Sequence, residues 1–148
     1  MKFHSAIRKE VLAFIAETVP NIKNFYNGIP NISNIESELP LICVHLDNAE
    51  VDPAAVGYQE WEADLNIGIF VPFDKSEEYL DEIASEVYEQ LLTHQFNTIL
   101  RKQAQRYEYD YDDDKVWVSS AISFRINYNF EAVNLYLRQL IEQGYTDV

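Results

Sequence analysis

Three stretches of the chain repeat apolar residues at the spacing of one face of an α-helix, and a fourth does so more weakly. In the first, Ser5–Thr18, the apolar positions include Ile7, Val11 and Ile15, and Pro20 follows where the helix should end. The other patterns predict helices over Glu77–Thr93, capped by Asp74 or Ser76, over Val133–Ile141, ending near Gly144, and more weakly over Phe96–Gln105.

Alternation of apolar and polar residues predicts most of the strands. Glu60–Ile69 alternates throughout, which is typical of a strand with one face in the core and the other toward water or a partner. Leu41–Leu46 is a short apolar run, so we expect a strand buried on both faces. Arg106–Asp112 and Trp117–Phe130 alternate again and flank the turn Asp112–Lys115, as in a β-hairpin.

The segments between these elements carry residues that favour turns. Asparagine, proline and serine recur from Asn27 to Pro40, and Asp47–Gln59 has no periodicity, so both segments are predicted loops. The order helix, strands, helix, strands, helix predicts an α+β fold, a mainly antiparallel sheet of about four to five strands packed by two to three helices. A length of 148 residues fits a single domain over 1–148.

The chain carries a formal charge of −14, from 25 acidic against 11 basic residues. This charge repels the phosphate backbone, so binding to nucleic acid without sequence preference is strongly disfavoured. No apolar run of about 20 residues occurs, so no transmembrane helix is predicted. The lone cysteine, Cys43, lies in an apolar run, which indicates a core residue and a reducing compartment such as a bacterial cytosol.

Acidic and basic residues concentrate in different parts of the chain. Acidic residues accumulate from Asp47 to Asp64 without a lysine or arginine, whereas bases concentrate at Arg101, Lys102 and Arg106. Two interpretations stay open. The charges form solvated faces that keep the protein in solution, or they form complementary faces that meet when copies assemble.

Residues with catalytic or metal-binding chemistry show no recognisable spacing. His4, His45 and His94 lack a zinc-ligand pattern, and no phosphate-binding or nucleophile motif occurs. The acidic run Asp110–Asp114 fails the EF-hand pattern, because Lys115 stands where glycine is required. A solvated turn is the favoured interpretation of this run, and a loose divalent-cation site shared by several chains stays open.

Several segments, in order, resemble the lambda-type phage minor tail protein U family of tail terminators. The most specific segment has a Tyr-x-Tyr strand, an Asp-Asp-Asp turn, a Trp-Ser-Ser-Ala sequence interrupted here by Val118, and an alternating strand ending in tyrosine. That segment is Tyr107–Tyr128, and the others are His4–Leu12, Phe25–Pro30, Leu39–Glu50 and Trp61–Pro72. The resemblance is collinear over residues 4–130, which is most of the chain.

The resemblance implies a structural protein without catalysis, whose fold is related to that of phage tail tube proteins. It implies a homohexameric ring on the last ring of the tail tube, which stops tube polymerisation and presents the surface that joins a head-completion protein. It also implies a place in the virion tail, after assembly in the host bacterial cytoplasm. Residues 131–148 have no equivalent in the family, so the last predicted helix is a C-terminal helical extension.

The candidate assembly contacts come from the two charge groups, the predicted long loop and the acidic turn. They are Glu50, Asp52, Tyr58, Arg101, Lys102, Arg106, Asp112, Asp113 and Asp114. No cofactor is predicted, and a divalent cation is expected only to influence assembly. Two other functions stay open: an acidic cytosolic protein-binding module, and a metal-dependent hydrolase that uses Asp112–Asp114 with His45 or His94.

Overall fold

The computed structural model describes residues 2–30, 34–52 and 59–144. These residues form three α-helices and five strands, with one turn of 3₁₀ helix at Ile35–Glu38. In chain order the elements are α1 (Lys2–Thr18), β1 (Asn24–Asn27), β2 (Leu41–Val51), β3 (Trp61–Pro72), α2 (Glu77–Thr93), β4 (Arg101–Tyr111), β5 (Trp117–Tyr128) and α3 (Phe130–Glu142).

The strands form one sheet in the order β1-β2-β3-β5-β4. The pairs β2–β3, β3–β5 and β5–β4 are antiparallel, and only the short β1 runs parallel to its neighbour β2. The hairpin of β4 and β5 is the one predicted around the turn Asp112–Lys115. The predicted α+β class, with a mainly antiparallel sheet, is therefore confirmed.

The core lies between one face of the sheet and the helices α1 and α2. The helical stripes predicted from the sequence point into it, because Ile7, Val11 and Ile15 of α1 and Leu80 and Val87 of α2 are all buried. From the sheet, the core receives alternate side chains of the central strands, namely Ala63, Leu65, Ile67, Ile69, Ile122, Phe124 and Ile126. None of the described helices is long and apolar enough to cross a membrane.

Polar side chains begin the second and third helices. Ser76 caps α2 by accepting a hydrogen bond from the Tyr79 backbone N–H at 3.3 Å, so Ser76 and not Asp74 is the cap. Asn129 caps α3 by accepting from the Ala132 N–H at 2.7 Å, which ends β5 at Tyr128, two residues before the predicted end. Gly144 follows α3 with a φ of +95°, as expected for the glycine that terminates a helix.

The weak helix predicted over Phe96–Gln105 is wrong. Residues from Arg101 onward belong to β4, where Lys102 lies opposite Ile126 and Ala104 opposite Phe124. Helical propensity is a weak preference that tertiary pairing overrides, and here the long strand β5 provides the pairing partner.

The loops predicted from composition are shorter than expected. β2 continues through Asp47 to Val51, with a bulge between Asp47 and Glu50, so the first part of the predicted loop Asp47–Gln59 is a strand. Residues 53–58 of that loop lie outside the described residues. The sequence predicted a loop from Asn27 to Pro40 and no strand before Leu41, yet Asn24–Asn27 forms β1 beside Leu41–Val44.

A carboxylate of α1 fixes the connection that leads from α2 into β4. Glu10 accepts hydrogen bonds from the backbone N–H groups of Asn97 and Thr98 at 2.9 and 3.0 Å. It also accepts from the Asn97 side-chain amide and the Thr98 hydroxyl at 2.8 and 2.7 Å. These four bonds tie the start of the edge strand β4 to the first helix.

Candidate assembly surfaces

The sheet has one face covered by helices and a second face that carries polar residues. On β3 the second face presents Glu62, Asp64 and Asn66, and on β5 it presents Ser123 and Arg125, which lie opposite them. The sequence predicted that the polar side of β3 would meet water or a partner. In the structure its centre is buried, because these side chains hydrogen-bond to one another across the strands.

Arg125 is the centre of this polar face. Its guanidinium contacts three carboxylates, with N–O distances of 2.9 Å to Glu50, 2.9 Å to Glu62 and 3.0 Å to Asp64. Asp64 additionally accepts a hydrogen bond from Asn48 at 2.8 Å. One half-buried cation therefore holds acidic residues of β2 and β3 together.

The Arg125 cluster shifts the pKa values of its members. Partial burial alone raises the pKa of Asp64, but hydrogen bonds from Asn48 and Arg125 and the charge of Arg125 outweigh it and hold the pKa below its ordinary value. Hydrogen bonds that Arg125 donates to Glu62 and Asp64 raise the pKa of Arg125. Asp64 and Arg125 are therefore both ionised at neutral pH.

Two lengths of sheet edge have no strand partner among the described residues. At one end of the sheet, the outer edge of β4 is open over Arg101–Tyr111, since β4 pairs only with β5. At the other end, β1 covers β2 only over Leu41–Val44, which leaves the outer edge of His45–Val51 open. An open edge presents unpaired backbone N–H and C=O groups that can pair with another chain.

The basic residues predicted as one assembly face all lie on β4, and each contacts a group of its own chain. Arg101 donates to the buried Glu60. Lys102 donates to the His94 carbonyl at 2.7 Å, and its partial burial lowers its pKa. Arg106 pairs with Glu108 at 3.1 Å.

The acidic residues predicted as the opposite face lie at the end of β2. Glu50 is bound to Arg125, and the backbone N–H of Asp52 donates to the Glu60 carbonyl at 2.7 Å. Tyr58 lies outside the described residues. Acids and bases thus occupy opposite edges of one sheet, but Glu50 is also neutralised within the chain by a base of β5, a pairing that the sequence did not indicate.

The acidic turn between β4 and β5 has a structural role at its first residue. Asp112 accepts hydrogen bonds from the backbone N–H groups of Val116 and Asp114 at 2.9 and 3.3 Å, so its carboxylate closes the turn. Asp113 and Asp114 are exposed. The turn therefore presents two of the three candidate carboxylates to solvent.

A cleft of about 540 Å³ separates α2 from β4. It opens because α2 packs over β3 and β5, whereas β4 extends past the helix. Its lining is mostly apolar or aromatic, with Ala84, Tyr88, Ala104, Tyr107, Tyr109 and Ile122. Sequence alternation predicted the strand that carries the tyrosines, but the cleft depends on how far α2 reaches across the sheet, which no local pattern encodes.

The tyrosines of β4 bridge this cleft to the acidic side of α2. The hydroxyls of Tyr107 and Tyr109 both donate to Asp81, at 2.8 and 2.6 Å, and Tyr111 donates to Glu77. Burial and the neighbouring carboxylate raise the pKa of Tyr107, so its hydroxyl stays protonated and donates at neutral pH. These bonds hold the open edge strand in place.

Residues with possible reaction chemistry are used structurally. Burial raises the pKa of Cys43 to about 11, so its thiol is protonated and unreactive at neutral pH. His94 stacks on Phe14 with ring centroids 3.9 Å apart. Within residues 2–30, 34–52 and 59–144, no group of three or more histidine, cysteine or acidic residues could hold a metal ion, so the hydrolase hypothesis gains no ligand set there.

Comparison with known proteins identifies close sequence relatives. The chain is 27% identical over 129 residues to the tail tube terminator protein of Escherichia phage lambda, covering 84% of this chain and 97% of that protein. It is 26% identical over 133 residues to the tail tube terminator protein of Escherichia phage N15, covering 85% and 98% respectively. Both relatives are thus matched over nearly their full length.

A solved structure titled "Virion of native gene transfer agent (GTA) particle" aligns with 85% of this chain and 90% of its own, at 11% identity and a TM-score of 0.48. The family described as phage minor tail protein U matches residues 2–128, which is all of the chain up to the end of β5. Helix α3 lies beyond that match. The chain therefore belongs to the phage minor tail protein U family.

Proposed function

We propose that this protein is a phage tail terminator, a ring of six copies that caps the finished tail tube. The ring stops tube polymerisation and offers its other side to a head-completion protein, in the virion tail after assembly in the host cytoplasm. The names of the two relatives support the terminator role. The structural observation that carries the ring is the presence of two different open edges on one sheet.

A closed ring with head-to-tail contacts requires two different contact surfaces on each copy, and two different sheet edges can provide them. In a head-to-tail contact, each copy uses one surface toward the next copy and a different surface toward the previous one, and the chain of contacts closes when the rotation permits. In the proposed ring, β4 of one copy pairs with the open edge His45–Val51 of β2 in the next copy. Because β4 runs opposite to β2 within the sheet, the new pair continues the antiparallel pattern.

Charge helps to orient this contact but supplies little of its free energy. The edge of β4 carries Arg101, Lys102 and Arg106, and the edge of β2 carries Asp47 and Glu50. Each exposed ion pair contributes only about 0–1 kcal/mol. Backbone pairing and apolar contacts must therefore supply most of the adhesion against the mutual repulsion of copies that each carry −14.

Ring formation is therefore expected to depend on ionic strength. Moderate salt or magnesium should favour the ring, because screening reduces the repulsion between whole subunits more than it weakens a few short ion pairs. Light scattering across protein concentration, with and without magnesium, measures this. The expected result is a six-copy mass that appears at lower protein concentration when the cation is present, and a monomer under every condition would refute the ring.

A further inference from the structure

We infer that, between adjacent copies, Val51 at the end of β2 inserts beside Ala104 into the α2–β4 cleft of the neighbouring copy. This inference rests on the proposed ring and specifies its contact. Val51 lies on the helix side of the sheet, because it is opposite Trp61, whose side chain packs against the core. It is 40% exposed, so its side chain is accessible to a neighbouring copy.

The side of the sheet restricts how the two edges align. When β4 pairs with a neighbouring β2, residues directly opposite each other point to the same face, so Leu46 must meet a helix-side residue of β4. The tyrosines supply three choices, Tyr107, Tyr109 and Tyr111, which differ by steps of two residues. A shift of the alignment by an odd number of residues would turn the apolar residues of one strand away from the helices.

The strand β1 excludes the first choice. With Leu46 opposite Tyr107, the end of β4 would run along Leu41–Val44 of the neighbour. That part of the β2 edge is already hydrogen-bonded to β1. The alignment therefore has to shift toward the end of β4, so that at most its last residue, Tyr111, reaches Val44.

Charge excludes the last choice. With Leu46 opposite Tyr111, Asp47 would face Asp110 and Glu50 would face Glu108, two like-charged pairs that destabilise a sheet. With Leu46 opposite Tyr109, Glu50 instead faces Arg106. That alignment keeps one repulsive pair, Asp47 with Glu108. Magnesium would screen this repulsion, in agreement with the expectation that it favours ring formation.

Because β4 has a bulge between Ala104 and Arg106, the remaining alignment places Val51 beside Ala104, at the cleft. The cleft accepts an apolar group, since Ala84, Tyr88 and Ile122 line it and Asp81 is already bonded to two tyrosine hydroxyls. The cleft volume of about 540 Å³ exceeds the volume of one valine side chain. We therefore expect the end of β2 to enter the cleft together with the Val51 side chain. The continued sheet thus buries an exposed apolar residue in an apolar cleft.

Cysteine cross-linking tests this contact. Ser85 is an exposed residue that lines the cleft, so the double variant Val51→Cys with Ser85→Cys should give a covalent ladder up to six copies with a short bis-maleimide. Each single variant controls for the native Cys43, which is buried and stays protonated. Phe73→Cys with Ser85→Cys is the matched control, because Phe73 is exposed at the opposite end of the sheet.

The proposal and the ring fail in distinguishable ways. A six-copy mass by light scattering together with a ladder no stronger than that of the controls would overturn the Val51 contact and leave the ring standing. Absence of any ring in the unmodified protein, with its tube partner present, would overturn the ring and this contact together. In addition, Val51→Asp should weaken association at least ten-fold and Val51→Ile should preserve it; equal association of the two variants would count against the insertion.

Discussion

Replacement of Ile126 with aspartate is expected to leave the protein unfolded at room temperature. Ile126 is 0% exposed near the end of β5, between Ala63 of β3 and Lys102 of β4. Burying a carboxylate without a designed partner costs several kcal/mol, and a whole domain is stable by about 5–15 kcal/mol. Lys102 lies opposite on β4, but an ion pair with it would not offset the cost of taking the new carboxylate out of water.

Thermal unfolding followed by circular dichroism checks this expectation. The matched control is Asp113→Asn in the exposed turn between β4 and β5, which should melt within a degree or two of the wild type, because surface changes usually stay within about 0.5 kcal/mol. A cooperative transition for Ile126→Asp at the wild-type temperature would contradict the assignment of Ile126 to the core.

Replacement of Arg125 with methionine is expected to lower the free energy of unfolding by about 2–4 kcal/mol at pH 7. This loss is somewhat smaller than the loss expected when a fully buried ion pair is broken, because Glu50 is exposed. Methionine replaces the aliphatic part of the side chain but removes the charge that Glu50, Glu62 and Asp64 share. Arg106→Met is the control. It breaks only the exposed pair with Glu108 and should cost less than about 1 kcal/mol.

The pH dependence of these variants gives a second readout. The pKa of Asp64 is depressed in the folded wild type, so the stability that its ionised form contributes is present above its unfolded value and lost as the pH falls through the folded value. In Arg125→Met the neighbouring carboxylates repel one another, and protonation relieves that repulsion. Urea unfolding should therefore show the gap between wild type and variant narrowing as the pH is lowered from 7 to below the ordinary aspartate pKa of 3.8, and a constant gap would contradict the electrostatic role of Arg125.

Local patterns predicted the elements that have strong periodicity. The stripe of Ile7, Val11 and Ile15 and the alternation that begins near Trp61 identified α1 and β3 within a few residues. Such patterns arise because each element buries one side, and burial alone dictates which positions are apolar. The Ser76 cap and the terminal Gly144 were equally local signals.

Features that depend on distant partners were not predicted. β1 is only four residues long and exists because Leu41–Val44 offers it an edge. The sequence pattern of the first residues of β4 is typical of a helix, and their pairing with β5 determines that they form a strand. Arg125 stands 61 residues from Asp64 in the chain, so the carboxylate cluster that it holds could not be inferred from charge runs, which suggested separate acidic and basic faces.

The candidate assembly residues illustrate the same limit. Composition singled out Arg101, Lys102 and Arg106, and the structure places all three on one open edge strand. Composition did not single out Val51 or the α2–β4 cleft. An exposed valine and two tyrosines can form a contact surface only where the fold brings the strand and the helix side by side. The family resemblance, by contrast, agrees with the match over residues 2–128, since it rested on many short segments in a fixed order.

The central claim, termination of the tail tube, is tested most directly by the length of tubes grown in the presence of this protein. The cognate tube protein is polymerised, this protein is added during growth, and tube lengths are measured by electron microscopy of negatively stained samples. The account predicts that elongation stops after the addition and that a ring occupies one end of each tube. Tubes that continue to lengthen as in the control without the protein, with no ring at either end, would contradict it.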